Sequence, residues 1–101
     1  MLEGPTTPLM IAKRVLTTET LQAVARSPYT FRGWTILDRW AMNSATELQA
    51  LEARGHSALL RRLLAQQELE AKVLLDYSEN LDAGMAEHEV LQLAEVQTEL
   101  T

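Results

Sequence analysis

Between Ala58 and Leu81 the chain reads ALLRRLLAQQELEAKVLLDYSENL, and the spacing of its leucines decides the fold. Leu60, Leu63, Leu64, Ala71, Leu74 and Leu81 fall on one side of a 3.6-residue helix, and Leu59, Val73 and Tyr77 widen that side. A stripe this long needs other elements to cover it. On the opposite side Glu68, Lys72 and Asp76 follow one another at i, i+4, where each such pair contributes a few tenths of a kcal/mol and the face stays wet. The pattern predicts one continuous helix over 58–81, stopped by Asp82-Ala83-Gly84.

Working outward, Gly55 suits the left-handed residue that ends a helix, and Ser57 suits the cap of the next one. Upstream, Leu48 and Leu51 predict a helix over 45–54, opened by a capping box in which Ser44 and Glu47 satisfy each other's backbone amides. The tight turn at Gly55 and His56 makes 45–54 and 58–81 an antiparallel helical hairpin. Trp34, Leu37 and Ala41 predict an abutting helix over 34–42. Nearer the start, residues 1–7 read as an extended leader, with Thr7 capping and Pro8 opening a short helix to Leu16. Thr18 is expected to cap a second helix over 19–26, which Ser27-Pro28 stops. Tyr29, Thr30 and Phe31 favour extended structure in a run too short for a sheet, so 29–33 is read as a loop. Beyond Gly84, residues 85–101 are expected to form a polar, acidic terminal helix carrying Val90, Leu91, Leu93, Ala94 and Val96. There is no strand alternation, internal repeat or low-complexity tract. The expected class is all-α: a small helical bundle, one domain over 1–101, with short N-terminal helices covering the hairpin's apolar face.

The composition agrees. A chain of 101 residues holds one core, and 47% hydrophobic with 23% charged residues is a foldable balance. Without cysteine there is no disulfide framework, thiolate zinc site, iron–sulfur cluster or thiol nucleophile, and the expected compartment is the cytoplasm. The apolar run Leu9 to Ala12 is shorter than a signal-peptide core, and Met1-Leu2-Glu3 is not a basic leader. No window offers the roughly 18 apolar residues of a membrane span, so no membrane role is expected.

Charge and aromatic residues are unevenly placed. Residues 1–50 carry five Lys and Arg against four Asp and Glu, whereas residues 51–101 carry four against ten, for a net charge of -5. From Asp76 onward there are seven carboxylates and no Lys or Arg. Asp82, Glu87, Glu89, Glu95 and Glu99 in that stretch are candidate contacts for a basic partner, imitating the charge of a phosphate backbone; the alternative is the solvated face of a terminal helix. Four of the five aromatic residues, Tyr29, Phe31, Trp34 and Trp40, lie between positions 29 and 40 beside Arg32 and Arg39. Trp, Tyr and Arg are over-represented in protein-interface hot spots, and aromatics among arginines also suit base stacking with phosphate contact. Equally, Trp34 and Trp40 can plug a small core with Arg32 lying over them.

Catalytic and metal motifs do not emerge. His56 and His88 lack metal-ligand spacing, and Glu87 and Glu89 point to different helix faces. There is no nucleophile elbow, phosphate loop or dinucleotide fingerprint. The chain is therefore expected not to be an enzyme and to need no cofactor and no metal. A helix-turn-helix fits 16–40 loosely: seven residues, 27–33, stand where the usual turn has three or four, and Asp38 would face phosphate.

The stretch from Asp38-Arg39-Trp40-Ala41 to Leu51-Glu52-Ala53-Arg54-Gly55, followed by LLRRLLAQQE at 59–68, resembles in texture the small accessory proteins of phages and other mobile elements. The resemblance is one of pattern and assigns no role to any residue. It implies an accessory or inhibitory protein that binds a nucleic-acid-handling host complex without catalysis, through residues 29–40 or the acidic end. Homodimerisation through the leucine-rich helix is the expected accompaniment. The alternative is a nucleic-acid-binding regulator using the basic and aromatic segment 26–40, with Arg26, Arg32 and Arg39.

Overall fold

In the computed structural model, which describes residues 9–26 and 28–100, the chain is all-α, and no strand occurs among the described residues. A 3-10 turn at Ala12–Arg14 precedes six helices: α1 (Thr18–Val24), α2 (Phe31–Asn43), α3 (Ala45–Ala53), α4 (His56–Asp76), α5 (Ser78–Asp82) and α6 (Glu87–Leu93). The hairpin of α3 and α4 is present, and α2 lies across both, so the core forms where the three meet. Trp40, Ile36 and Leu37 of α2, Leu48 of α3, and Leu59 and Leu63 of α4 are all at most 1% exposed. Leu74, Val90 and Leu91 make a separate satellite core with Val73, Tyr77, Leu81, Met85 and Val96, holding α5 and α6 to the far end of α4.

The leucine stripe of 58–81 is only partly what faces inward. The buried residues of α4 are Leu59, Leu63, Gln66, Gln67, Glu70 and Leu74, apolar at both ends and polar in the middle. Of the expected stripe, Ala71 is exposed and Leu60, Leu64, Val73 and Leu81 are half-buried, and Leu75, outside the stripe, is 74% exposed. The helix is also not continuous to Leu81: Tyr77, at φ -105° and ψ 25°, breaks it, and α5 follows. The wet face is as expected, with Lys72 Nζ 3.1 Å from Asp76.

Several local expectations are corrected, in some places by long-range contacts and in others by the local backbone. Segment 29–33 is not a loop throughout, because α2 starts at Phe31. Gln67 of α4 makes that start possible: its Oε1 accepts from the Thr30 N–H at 3.0 Å and its Nε2 donates to the Pro28 carbonyl at 3.0 Å. Gly33 is buried against Gln67, and a Cβ there would collide with Gln67 Oε1. Ser44 does not close a capping box with Glu47; its hydroxyl donates to Glu99 instead, at 3.1 Å. Gly55, at φ 137°, turns the chain directly into α4, so Ser57 lies inside the helix rather than capping it. α1 begins at Thr18 with Thr17, not Thr18, as its cap: Thr17 Oγ1 accepts from the Thr20 N–H.

The helix expected over 8–16 shrinks to the 3-10 turn, which is anchored by Asp38 of α2. That carboxylate accepts from the Ala12 N–H at 2.8 Å and the Leu9 N–H at 2.9 Å, satisfying amides that the turn cannot. The leader 1–7, Thr7 and Pro8 lie outside the described residues. At the other end, the terminal helix over 85–101 is replaced by the short α6. Glu95 sits at φ 59°, its N–H bonded to the Gln92 carbonyl and that of Val96 to the Leu91 carbonyl. This closing turn reverses the chain, and residues 95–100 run back across α4 and α2 as a strap.

Candidate functional site between the arginine helix and the acidic end

The two segments that the sequence offers as alternative contact surfaces meet in the fold. Along the buried face of α4 a ladder of polar side chains runs at i, i+4 spacing. Arg62 Nη1 donates to Gln66 Oε1 at 2.7 Å, and Gln66 Nε2 donates to Glu70 Oε2 at 2.7 Å. Arg39 of α2 closes on Glu70 with both terminal nitrogens, at 2.6 and 3.3 Å, while the Glu70 side chain is only 2% exposed. A carboxylate so buried is tolerated only because it is paired and fully hydrogen-bonded. Among the described residues no buried side-chain nitrogen or oxygen lacks a partner.

The strap completes this network. The Thr98 carbonyl accepts from Arg39 Nε at 3.1 Å, Arg39 Nη2 at 2.7 Å and Trp40 Nε1 at 2.8 Å. Gln66 Nε2 also donates to the Gln97 carbonyl at 2.9 Å. Glu99 lies 3.5 Å from Arg39 Nε and accepts from Asn43 and Ser44, and Leu100 packs on the main core. Trp40 is thus roofed by the strap on its indole nitrogen, with the Arg62 guanidinium 5.1 Å from its ring centroid.

Beside this network α2 and α6 flank a groove of about 570 Å³, with Ile36 and Leu91 as apolar lining and Phe31, Arg32, Arg39, Glu70, Glu87 and His88 around them. Arg32 forks onto Glu87 at 3.3 and 3.4 Å. That pair is open to water, at 31% and 57% exposure, and so is worth at most about 1 kcal/mol. Phe31 is 61% exposed and meets Trp34 edge to face at 6.4 Å. Thr35 spends its hydroxyl on the Phe31 carbonyl of its own helix.

The candidate contact residues therefore divide. Trp40 is fully buried and presents no surface to a partner. Tyr29 and Trp34 are half-buried, their polar atoms donating to the Leu60 and Val24 carbonyls, and burial pushes the Tyr29 hydroxyl pKa up. Arg39 and Glu99 are held in the strap network, Arg32 and Glu87 on each other, and Glu89 caps α6 by accepting from the Ala86 N–H at 2.9 Å. Phe31, Asp82 and Glu95 remain exposed, as do Glu79 and His88. The sequence reading missed the structural use of Gln66, Gln67 and Glu70. Their signal was the alternating spacing Leu59, Leu63, Gln66, Glu70, Val73, Tyr77, a heptad pattern visible once polar members are admitted.

A second polar cluster ties α1 to α3. Glu52 accepts from Thr20 Oγ1 at 2.6 Å, from the Thr17 N–H at 2.9 Å and from Thr17 Oγ1 at 3.0 Å. Burial pushes its carboxyl up, but these bonds and the nearby His56 outweigh that and hold it below the ordinary value. No three of His, Asp and Glu converge as metal ligands among the described residues, and no described helix is long and apolar enough to cross a membrane. No protein-family model, curated protein or solved structure matches this chain.

Proposed function

We propose that the chain is a non-catalytic binding protein that docks on a basic protein surface through the lobe formed by α5 and α6. The observation that carries this reading is the charge of that lobe. Glu79, Asp82, Glu87, Glu89 and Glu95 are all exposed on it, and Arg32 of α2 is the one cation paired with any of them among the described residues. Phe31 at the adjoining groove supplies the exposed aromatic that an interface core favours. Carboxylates arranged in this way compete for arginines that otherwise hold phosphate, which is the action expected of an inhibitory accessory protein from a phage or mobile element.

The test is capture of a partner by the immobilised chain from cells that carry its gene, compared with a Glu79→Lys, Asp82→Lys, Glu95→Lys variant. These three positions are chosen because Glu87 and Glu89 have partners inside the fold. Capture should vanish in the variant. It should also weaken as salt rises from about 0.1 M, where charges are screened over ~10 Å, to about 1 M, where they are screened over ~3 Å. Equal capture by both proteins at both salts would refute the reading. A nucleic-acid regulator would need Arg26, Arg32 and Arg39 on one surface, whereas Arg32 is engaged by Glu87 and Arg39 by Glu70. A mobility shift that falls steeply with salt would reinstate it.

A further inference from the structure

The strap is held by side chains. From Gln97 to Leu100 it makes no backbone–backbone hydrogen bond among the described residues. Its carbonyls and its glutamate are gripped instead by side chains of α2, α4 and Ser44: Gln66 on Gln97, Arg39 and Trp40 on Thr98, Asn43 and Ser44 on Glu99. Side-chain donors on successive groups of a segment that lies outside any helix, with a leucine seated on the apolar core at its end, form a seam that fits that segment. The segment joins α6 through Glu95, whose positive φ is unfavourable for a residue with a Cβ. Undocking relieves that strain but leaves Trp40 Nε1 without its partner and takes one partner each from Arg39 and Gln66, which keep Glu70, so an empty seam is costly. Refilling it with an identical segment restores every contact.

We propose that this seam receives the strap of a second copy, giving a reciprocal exchange dimer in which each partner contributes a Thr98 carbonyl, Glu99 and Leu100 to the other's Arg39, Trp40, Asn43 and Ser44. Exchange conserves the contacts, so its balance is set by the hinge and by concentration, the tethered strap competing at an effective concentration of about 1 mM. Reciprocal exchange draws the two acidic α6 ends towards each other, so salt promotes this dimer, whereas it weakens docking through the acidic lobe. The two ideas therefore fail separately.

The decisive variant is Glu95→Pro, since proline cannot adopt φ 59° and removes the N–H bonded to Gln92. At about 1 mM, near the effective concentration of the tether, light scattering should find about half of the wild type dimeric and a larger share of the variant, with both rising at higher salt. The Trp40 indole N–H should stay protected from exchange. A monomeric variant, or a dimer whose Trp40 indole exchanges freely, overturns the proposal. Wild-type protein answers in case that variant does not fold. A synthetic peptide of residues 94–101, added at several times the ~1 mM effective concentration of the tether, should saturably shift the Trp40 indole resonance, and the same peptide with Leu100→Asp should not. No shift, or the same shift with both peptides, overturns the proposal. A monomeric Glu95→Pro variant that binds the peptide would assign the seam to a foreign segment and overturn the second-copy assignment.

Discussion

Replacing Arg39 by alanine removes the partner of a carboxylate that sits almost entirely out of water, at 2.6 Å in the native protein. Breaking a buried ion pair from one side costs about 3–5 kcal/mol. The lower end applies, because the Arg39 side chain is itself 24% exposed and Gln66 still donates to Glu70 in the variant. A loss of about 3 kcal/mol is a large part of the ~5–15 kcal/mol that holds a domain of this size together. It should lower the urea midpoint by roughly 2 M for an m-value near 1.5 kcal/mol/M, and Tm by roughly 10–20 °C. Replacing both residues together, Arg39→Met with Glu70→Leu, should recover most of the loss, since an apolar pair needs no desolvated charge. Lys72→Ala removes an ion pair whose side chains are 75% and 55% exposed, and should cost under about 0.5 kcal/mol. Urea unfolding followed by far-ultraviolet circular dichroism measures all three. Arg39→Ala within 1 kcal/mol of wild type, or no coupling in the Arg39–Glu70 double-mutant cycle, would refute the placement of Glu70 in the core.

Other substitutions read other joints. Gly33→Ala improves helix propensity by about 1 kcal/mol but must displace Gln67 and its two bonds to the start of α2. The expected net effect is a loss of about 1–2 kcal/mol in urea unfolding, so a stabilised variant would contradict the packing. Glu95→Gly relieves a positive φ and should stabilise by about 0.5–1 kcal/mol, seen as a higher Tm. Glu52 predicts an acid dependence: a carboxyl held below its unfolded value contributes stability that is fully present above about pH 4.5 and lost as pH falls through the lower folded value. Glu52→Gln should therefore be less stable than wild type at pH 7, with the gap closing on acidification; a gap independent of pH between 7 and 3 would count against the Thr17 and Thr20 bonds.

The helical class and the α3–α4 hairpin were legible because leucine spacing and the turn at Gly55 are local signals. What local pattern could not supply was which polar residues go inside. Gln67 decides where α2 begins from 37 residues away in sequence, and Glu99 takes the Ser44 hydroxyl that a capping box would have used. The apolar stripe misled in the same way: Ala71 is exposed and Leu60, Leu64 and Leu81 are only half-buried, while Gln66 and Glu70 are buried, because Arg39, Arg62 and the Gln97 carbonyl offer those polar groups partners. For the candidate site, the sequence identified the chemical density of 29–40 and the acidity beyond Asp76. It could not show that each neutralises part of the other, through Arg32 with Glu87 and Arg39 with Glu99.

Residues 95–100 roof α2 at Trp40. Hydrogen exchange of the Trp40 indole N–H, with its nuclear Overhauser contacts, tests that roof at the atom that touches it. Protection as strong as that of the backbone amides of α4, with contacts to Thr98, is the expected result. An indole that exchanges as fast as a free tryptophan and shows no contact to the strap would contradict it.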